Sequence, residues 1–133
     1  MKIIFLYLLL VLMIAFSGCK KEPINTGLAD KWEWISSDSY IGIIGVHSTP
    51  QILGYTYTVE YTNDGKYKKY DQYNHLVLTY PYTLLKAVSI YDNQEHDMIQ
   101  LNNSEKWSFQ IRKDSLFLVE ENTFRFQEVF VRK

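Results

Sequence analysis

The chain is poor in the residues that most chemistry is built on. It has one cysteine, three histidines and three prolines in 133 residues. One cysteine excludes an internal disulfide framework and a structural zinc site made of thiolates. His47, His75 and His96 form no H-x-H or H-x-x-x-H pair that could start a local metal site. Charge of one sign is lacking too. Lys plus Arg is 14 against 15 for Asp plus Glu, a net charge of -1, so no basic face argues for a nucleic-acid partner. No Gly-x-Ser-x-Gly elbow occurs for a serine nucleophile, and Gly42 and Gly45 lack the Lys-Ser or Lys-Thr of a phosphate loop. Glu120 and Glu121 are sequence neighbours, which in a strand face opposite ways, and they read as a solvated strand end. Asp92, Glu95, His96 and Asp97 lack the Asp-x-Asp-x-Asp-Gly pattern of a calcium loop and read as turn formers. The expectation is a protein that is not an enzyme and takes no cofactor and no metal.

Aromatic side chains are abundant. Eleven tyrosines, seven phenylalanines and three tryptophans, with 47% hydrophobic residues, make the chain too apolar for disorder. The length suits one domain plus a targeting segment. Met1-Lys2 gives a positive start, and Ile3 to Phe16 is an uncharged apolar run. That run is shorter than the roughly 20 residues of a membrane-spanning helix and suits the apolar region of a signal peptide. Ser17-Gly18 and then Cys19 follow. This resembles the bacterial lipoprotein signal, with Phe16 where the pattern has an aliphatic residue. The resemblance implies cleavage before Cys19 and acylation of Cys19, palmitate included. Each buried lipid CH₂ is worth about 0.8 kcal/mol, so several chains hold a protein stably on a membrane. Residues 1–18 are then signal peptide. Residues 19–27, polar and containing Pro23 and Gly27, are a flexible tether. Residues 28–133 are the folded domain. Cys19-Lys20-Lys21-Glu22 resembles the charged leaders of surface lipoproteins in Bacteroidetes-type bacteria. The outer membrane is the expected location, with the periplasmic and surface faces both open.

From Ala29 onward the apolar period is two, the signature of half-buried strands. Trp32 and Trp34 share a parity, as do Tyr55, Tyr57, Val59 and Tyr61. So do Leu78, Tyr80, Tyr82 and Leu84, then Ile99 and Leu101, then Trp107, Phe109 and Ile111. Asn63-Asp64-Gly65 predicts a tight hairpin, because Asp and Gly both tolerate positive φ. Residues 92–95, 102–105, 113–114 and 121–123 separate the later runs. Ser36 to Leu53, with Gly42, Gly45, Pro50 and Ile41, Ile43, Ile44 and Ile52, reads as a long apolar loop holding one short strand. Pro81 marks an edge or a bulge, since proline cannot donate to a ladder. Lys66-Tyr67-Lys68-Lys69-Tyr70 reads as the charged outer face of a hairpin. The expected fold is all-β, an antiparallel meander of eight or nine strands closing into a barrel.

Leu28-Ala29-Asp30-Lys31-Trp32-Glu33-Trp34 resembles the first strand of lipocalin-like domains in bacterial lipoproteins, with Asp30 where the family has glycine. Residues 59–67 resemble that family's hairpin and Val131-Arg132-Lys133 its end. The resemblance implies a calycin-type barrel in which Trp32 packs at the closed end near a late arginine, Arg125 or Arg132. Asp114-Ser115-Leu116 also resembles a short acceptor site for O-glycosylation at Ser115.

Nine aromatics fall on inward parities, and each ring buries about 150–250 Å². Two readings stand. In one, the barrel binds a small apolar or amphipathic ligand, lined by Trp34, Tyr55, Tyr57, Tyr80, Tyr82 and Trp107, with the isoleucine loop as a lid. In the other, rings fill the barrel, and the protein is a structural or interaction module of the envelope. Mass spectrometry of the mature N-terminus checks the anchor. The expected species starts at an acylated Cys19, and an unmodified Cys19 or a cleavage elsewhere contradicts it.

Overall fold

The structure is a computed structural model and describes residues 27–41 and 44–133. The segment expected to be a signal peptide, Cys19, the expected tether up to residue 26, Gly42 and Ile43 lie outside the described residues. The elements are β1 (Lys31–Ile41), β2 (Ile44–Ser48), α1 (Pro50–Leu53), β3 (Thr58–Tyr61), β4 (Lys66–Tyr70), β5 (Leu76–Val88), β6 (Glu95–Leu101), β7 (Glu105–Arg112), β8 (Ser115–Glu120) and β9 (Phe126–Arg132). From β3 to β9 each strand pairs with the next, β3 also pairs with β1, and β9 returns to β1. Eight antiparallel strands thus close into a barrel, and β2 adds a ninth strand beside the second half of β1. The barrel meander expected from the period-two runs is what forms.

Closure rests on the β1–β9 ladder, which runs from Trp32↔Arg132 to Ser39↔Phe126 with a bulge between Trp34 and Ser36. The bulge swaps the parity of β1. Trp32 and Trp34 face inward before it. After it Ser37 is the buried residue, opposite Glu128, while Asp38 turns out to meet His47 Nδ1 at 2.7 Å. The core joins Leu28, Trp32, Trp34, Val59, Tyr61, Ile99, Leu101, Leu116, Leu118 and Phe130.

One end of the barrel, near the β3–β4 turn, is stoppered by Trp32. It is fully buried, and its Nε1 donates to the Leu28 carbonyl at 2.9 Å. The Arg132 guanidinium lies 4.6 Å from the Trp32 ring centre and pairs with Asp30. Of the two arginines considered for this place, Arg132 occupies it. The aspartate at position 30 supplies that arginine with a carboxylate.

Three local readings change. The β3–β4 turn has Gly65 N–H donating to Thr62 O at 3.1 Å, and only Gly65 has positive φ, at +79°. The tight hairpin expected there forms as a four-residue turn whose left-handed position is Gly65 and not Asp64. The segment read as a loop, Ser36 to Leu53, holds the second half of β1, then β2, and also a single helical turn. Thr49 caps that turn at Ile52 N, and Gly54, left-handed at φ 75°, closes it. Pro81 is neither at a barrel edge nor at a bulge. The β4–β5 irregularity falls between Lys69 and Tyr70, and Pro81 sits where β5 passes from β4 to β6. Its carbonyl accepts from Asn102 N, beyond the last β6 ladder pair at Leu101, so the missing N–H costs no ladder bond there.

The β5–β6 hairpin outreaches its neighbour. It pairs from Tyr82↔Leu101 to Val88↔Glu95, but β6 meets β7 only over Met98–Leu101. The free end is an arm whose tip reaches the β8–β9 loop. Glu121 Oε2 accepts from Ser89 Oγ at 3.1 Å and Ile90 N at 2.9 Å. The Tyr91 hydroxyl lies 2.8 and 2.5 Å from the Glu120 and Asn122 carbonyls. Glu121 is thus a clamp for the arm, not the solvated strand end expected.

A methyl at Gly65 would stand 3.3 Å from the Tyr82 carbonyl oxygen in a left-handed backbone. Gly65→Ala should lower stability by about 1–2 kcal/mol, read from the urea midpoint at unchanged slope.

Candidate functional site

The barrel interior divides into two zones by residue type. Around Trp32 it is hydrocarbon and rings: Leu28, Ile99, Leu116 and Phe130, with Tyr61 against Tyr67 and Tyr82 at ring-centre distances of 5.3 Å each. Tyr82 also donates to the Thr62 carbonyl at 2.8 Å, so its hydroxyl is satisfied. Toward the β8–β9 end, polar groups enter the inner face. On β9, Glu128 lies between Phe126 and Phe130 at the same parity, and the Tyr57 hydroxyl donates to it. On β4, Lys69 stands opposite Val59 and Leu78, and its Nζ lies 3.8 Å from the Tyr57 ring centre. On β8, Glu120 follows the inward Leu116 and Leu118 and pairs across to Trp107.

The rings here form a stack. Trp34 lies 5.2 Å from Tyr57 at 11° and 6.3 Å from Tyr55, and Tyr57 meets Phe130 edge-on at 5.9 Å. Trp107 meets Phe126 edge-on at 6.0 Å. The Nε1 atoms of Trp34 and Trp107 are both buried without a hydrogen-bond partner. A buried donor left unpaired costs about 1–3 kcal/mol, so these two indoles are places where an acceptor would stabilise the fold.

Burial sets the electrostatics. It pushes the Glu128 carboxyl above its ordinary range. The Tyr57 hydroxyl and the Lys69 charge hold it down, and Glu120 pushes it further up. Glu120 is raised as well, by burial first and then by Glu105, against a hydrogen bond from Asn122. Tyr57 is held far above the ordinary tyrosine range by burial and by the Glu128 charge, and Tyr67 rises for the same two reasons. Both hydroxyls therefore stay protonated, and Tyr57 is a hydrogen-bond donor at any physiological pH.

Of the six lining residues expected from sequence, Trp34, Tyr80, Tyr82 and Trp107 have inward register, with Tyr80 40% exposed, and Tyr57, just before β3, lies against Trp34. Tyr55 lies outside any strand, half exposed, with its ring against Trp34. Trp34, Tyr57 and Trp107 belong to the polar zone, and Tyr82 belongs to the packed one. Lys69 is a correction. Expected on a charged outer face, it points inward, because strand alternation pairs it with the inward Val59 and Leu78. Glu128, Glu120 and Lys69 were missed as interior groups. The available signal was Phe126-x-Glu128-x-Phe130, an acid on the apolar parity of a strand. Ile44 and Ile52, expected in a lid, are exposed on β2 and α1. Among the described residues no group of three or more His, Cys, Asp or Glu is gathered for a metal ion. Asp92 spends its carboxylate on Gln94 N at 2.9 Å and His96 Nε2 at 2.7 Å, as a turn residue.

No family model matches the chain, and no curated protein matches it.

Because burial raises Glu128, its ionisation opposes folding. That cost is present above its folded-state pKa and vanishes below the ordinary value of 4.5. Glu128→Gln keeps an acceptor for Tyr57 without the charge. The variant should melt higher than the parent at pH 7.5, with the difference closing by pH 4, in thermal scans across that range. A variant that melts lower at both ends contradicts the assignment.

Proposed function

We propose that the protein is a lipid-anchored binding module of the bacterial cell envelope, not an enzyme, whose barrel takes a small amphipathic ligand. The observation that carries this reading is Glu128, a carboxylate on the inner face among aromatic rings. A barrel evolved only to be filled gains nothing from an acid on its inner face, where partial burial costs stability unless the charge is paired. Here it has one tyrosine donor and a lysine nearby, and two indole N–H groups on the same inner face lack acceptors. Such a lining, apolar with a few placed polar groups, is the usual make-up of a ligand site.

The balance of charge selects the ligand head. Glu120 and Glu128 line this zone, Glu105 acts on Glu120, and Lys69 is the cation that acts on Glu128. A hydroxyl or amine head suits it better than a carboxylate head, and the rings receive the apolar tail. The closed antiparallel meander and the Trp32–Arg132 contact support the likeness to lipocalin-like lipoprotein domains. Anchoring at Cys19 rests on the sequence resemblance. A different observation favours a second reading, an interaction module with a filled barrel. Ile44, Val46 and Ile52 are 68%, 54% and 64% exposed on β2 and α1, an apolar rim for a protein partner.

Titration of tryptophan fluorescence with decylamine and with decanoate separates the two. The binding reading expects a saturable change with decylamine, at least fivefold tighter than with decanoate, and loss of that preference in Glu128→Gln. No saturable change with either probe contradicts it.

A further inference from the structure

We propose that the outer wall of the barrel carries a second site, a groove for a small organic anion, between the β5–β6 arm and strands β7 to β9. The groove has a volume of about 300 Å³, at the small end for a ligand site. Apart from Phe109, its residues face away from the core. Ser108, Gln110 and Arg112 alternate with the inward Trp107, Phe109 and Ile111, and Phe117 and Val119 alternate with Leu116 and Leu118. His96, on the arm, forms the facing side, and Arg125 stands where the arm tip is clamped.

Charge defines the ligand. The lining holds Arg112 and Arg125 and no carboxylate. Among the described residues neither arginine has an ion-pair partner, whereas Arg132 has Asp30 and Asp114. Both guanidiniums are already positioned. Arg112 lies 5.3 Å from the Phe117 ring centre, with Nη2 donating to Gln110 Oε1 at 2.7 Å. Arg125 lies 5.4 Å from the Tyr91 ring centre, and Tyr91 is fixed by its hydroxyl contacts to the β8–β9 loop. A guanidinium carries five N–H donors in a planar fork matched to carboxylate and phosphate, so most of the donors at this groove are unspent. Phe117 and Val119 offer an apolar floor for the rest of the molecule. The same anionic group could belong to a soluble metabolite or to a phospholipid head.

Calorimetry on the mature lipoprotein in neutral detergent tests this, with phenyl phosphate, inorganic phosphate and dihexanoyl-phosphatidylglycerol as probes. The proposal expects salt-sensitive binding of phenyl phosphate or of the short-chain lipid, at least tenfold tighter than inorganic phosphate. The tighter of the two tells a soluble anion from a lipid head. Arg112→Gln with Arg125→Gln should weaken that binding at least tenfold. Ser108→Glu, which places an acid in the groove and leaves both arginines, should do the same and guards against a misfolded double variant. Glu128→Gln, inside the barrel, should leave it unchanged, so failure of the interior site and of this one are told apart. No binding of either organic probe, or binding indifferent to both groove variants, overturns the proposal.

Discussion

From Trp32 to Ser39, β1 bonds along β9 from Arg132 to Phe126, and this ladder turns a meander into a closed wall. Every inside and outside in the molecule follows from it. With the ladder made, period-two strands have one face toward a lumen and one toward solvent, and free strand edges remain on β2 and on the β5–β6 arm. The ladder also carries the one irregularity that shapes the interior. The bulge after Trp34 sets the small side chain of Ser37 opposite Glu128, where unbroken alternation would have set Ser36 or Asp38 among inward residues.

The two ends of the lumen solve burial differently. At the Trp32 end every polar atom of the stopper has a partner: the indole N–H has the Leu28 carbonyl, and Arg132 has the ring beneath it and Asp30 beside it. The other end keeps charge inside. Glu128, Lys69 and Tyr57 are mutually placed, yet the Trp34 and Trp107 indoles remain unanswered. On the reading proposed above, the first end serves stability and the second serves binding, because a buried unpaired donor calls for an acceptor. Outside the wall, the arm clamped by Glu121 creates a groove of opposite character, cationic with no acid in its lining.

Much of the fold was legible in the sequence because a strand announces itself by alternation. Trp32, Trp34, Tyr61, Ile99 and Leu101 were placed inward by parity alone, and they form the core. What escaped was polar chemistry on inward positions. Lys69 sits in a run of lysines and reads as surface until its partners Val59 and Leu78 are known. Glu121 reads as a strand end until a hairpin from elsewhere in the chain arrives to use its oxygen. The arm itself follows from β6 parting from β7 before Met98, a register choice made by pairing across strands that no local pattern encodes. Arg112 and Arg125 meet one groove only because of it.

The account turns on whether the polar zone inside the barrel holds a molecule. Native mass spectrometry of the protein purified from the cells that make it tests that most directly. The expected result is a reproducible added mass that is lost on denaturation and absent from Glu128→Gln prepared the same way. A bare protein mass, or an added mass that the substitution leaves in place, would contradict it.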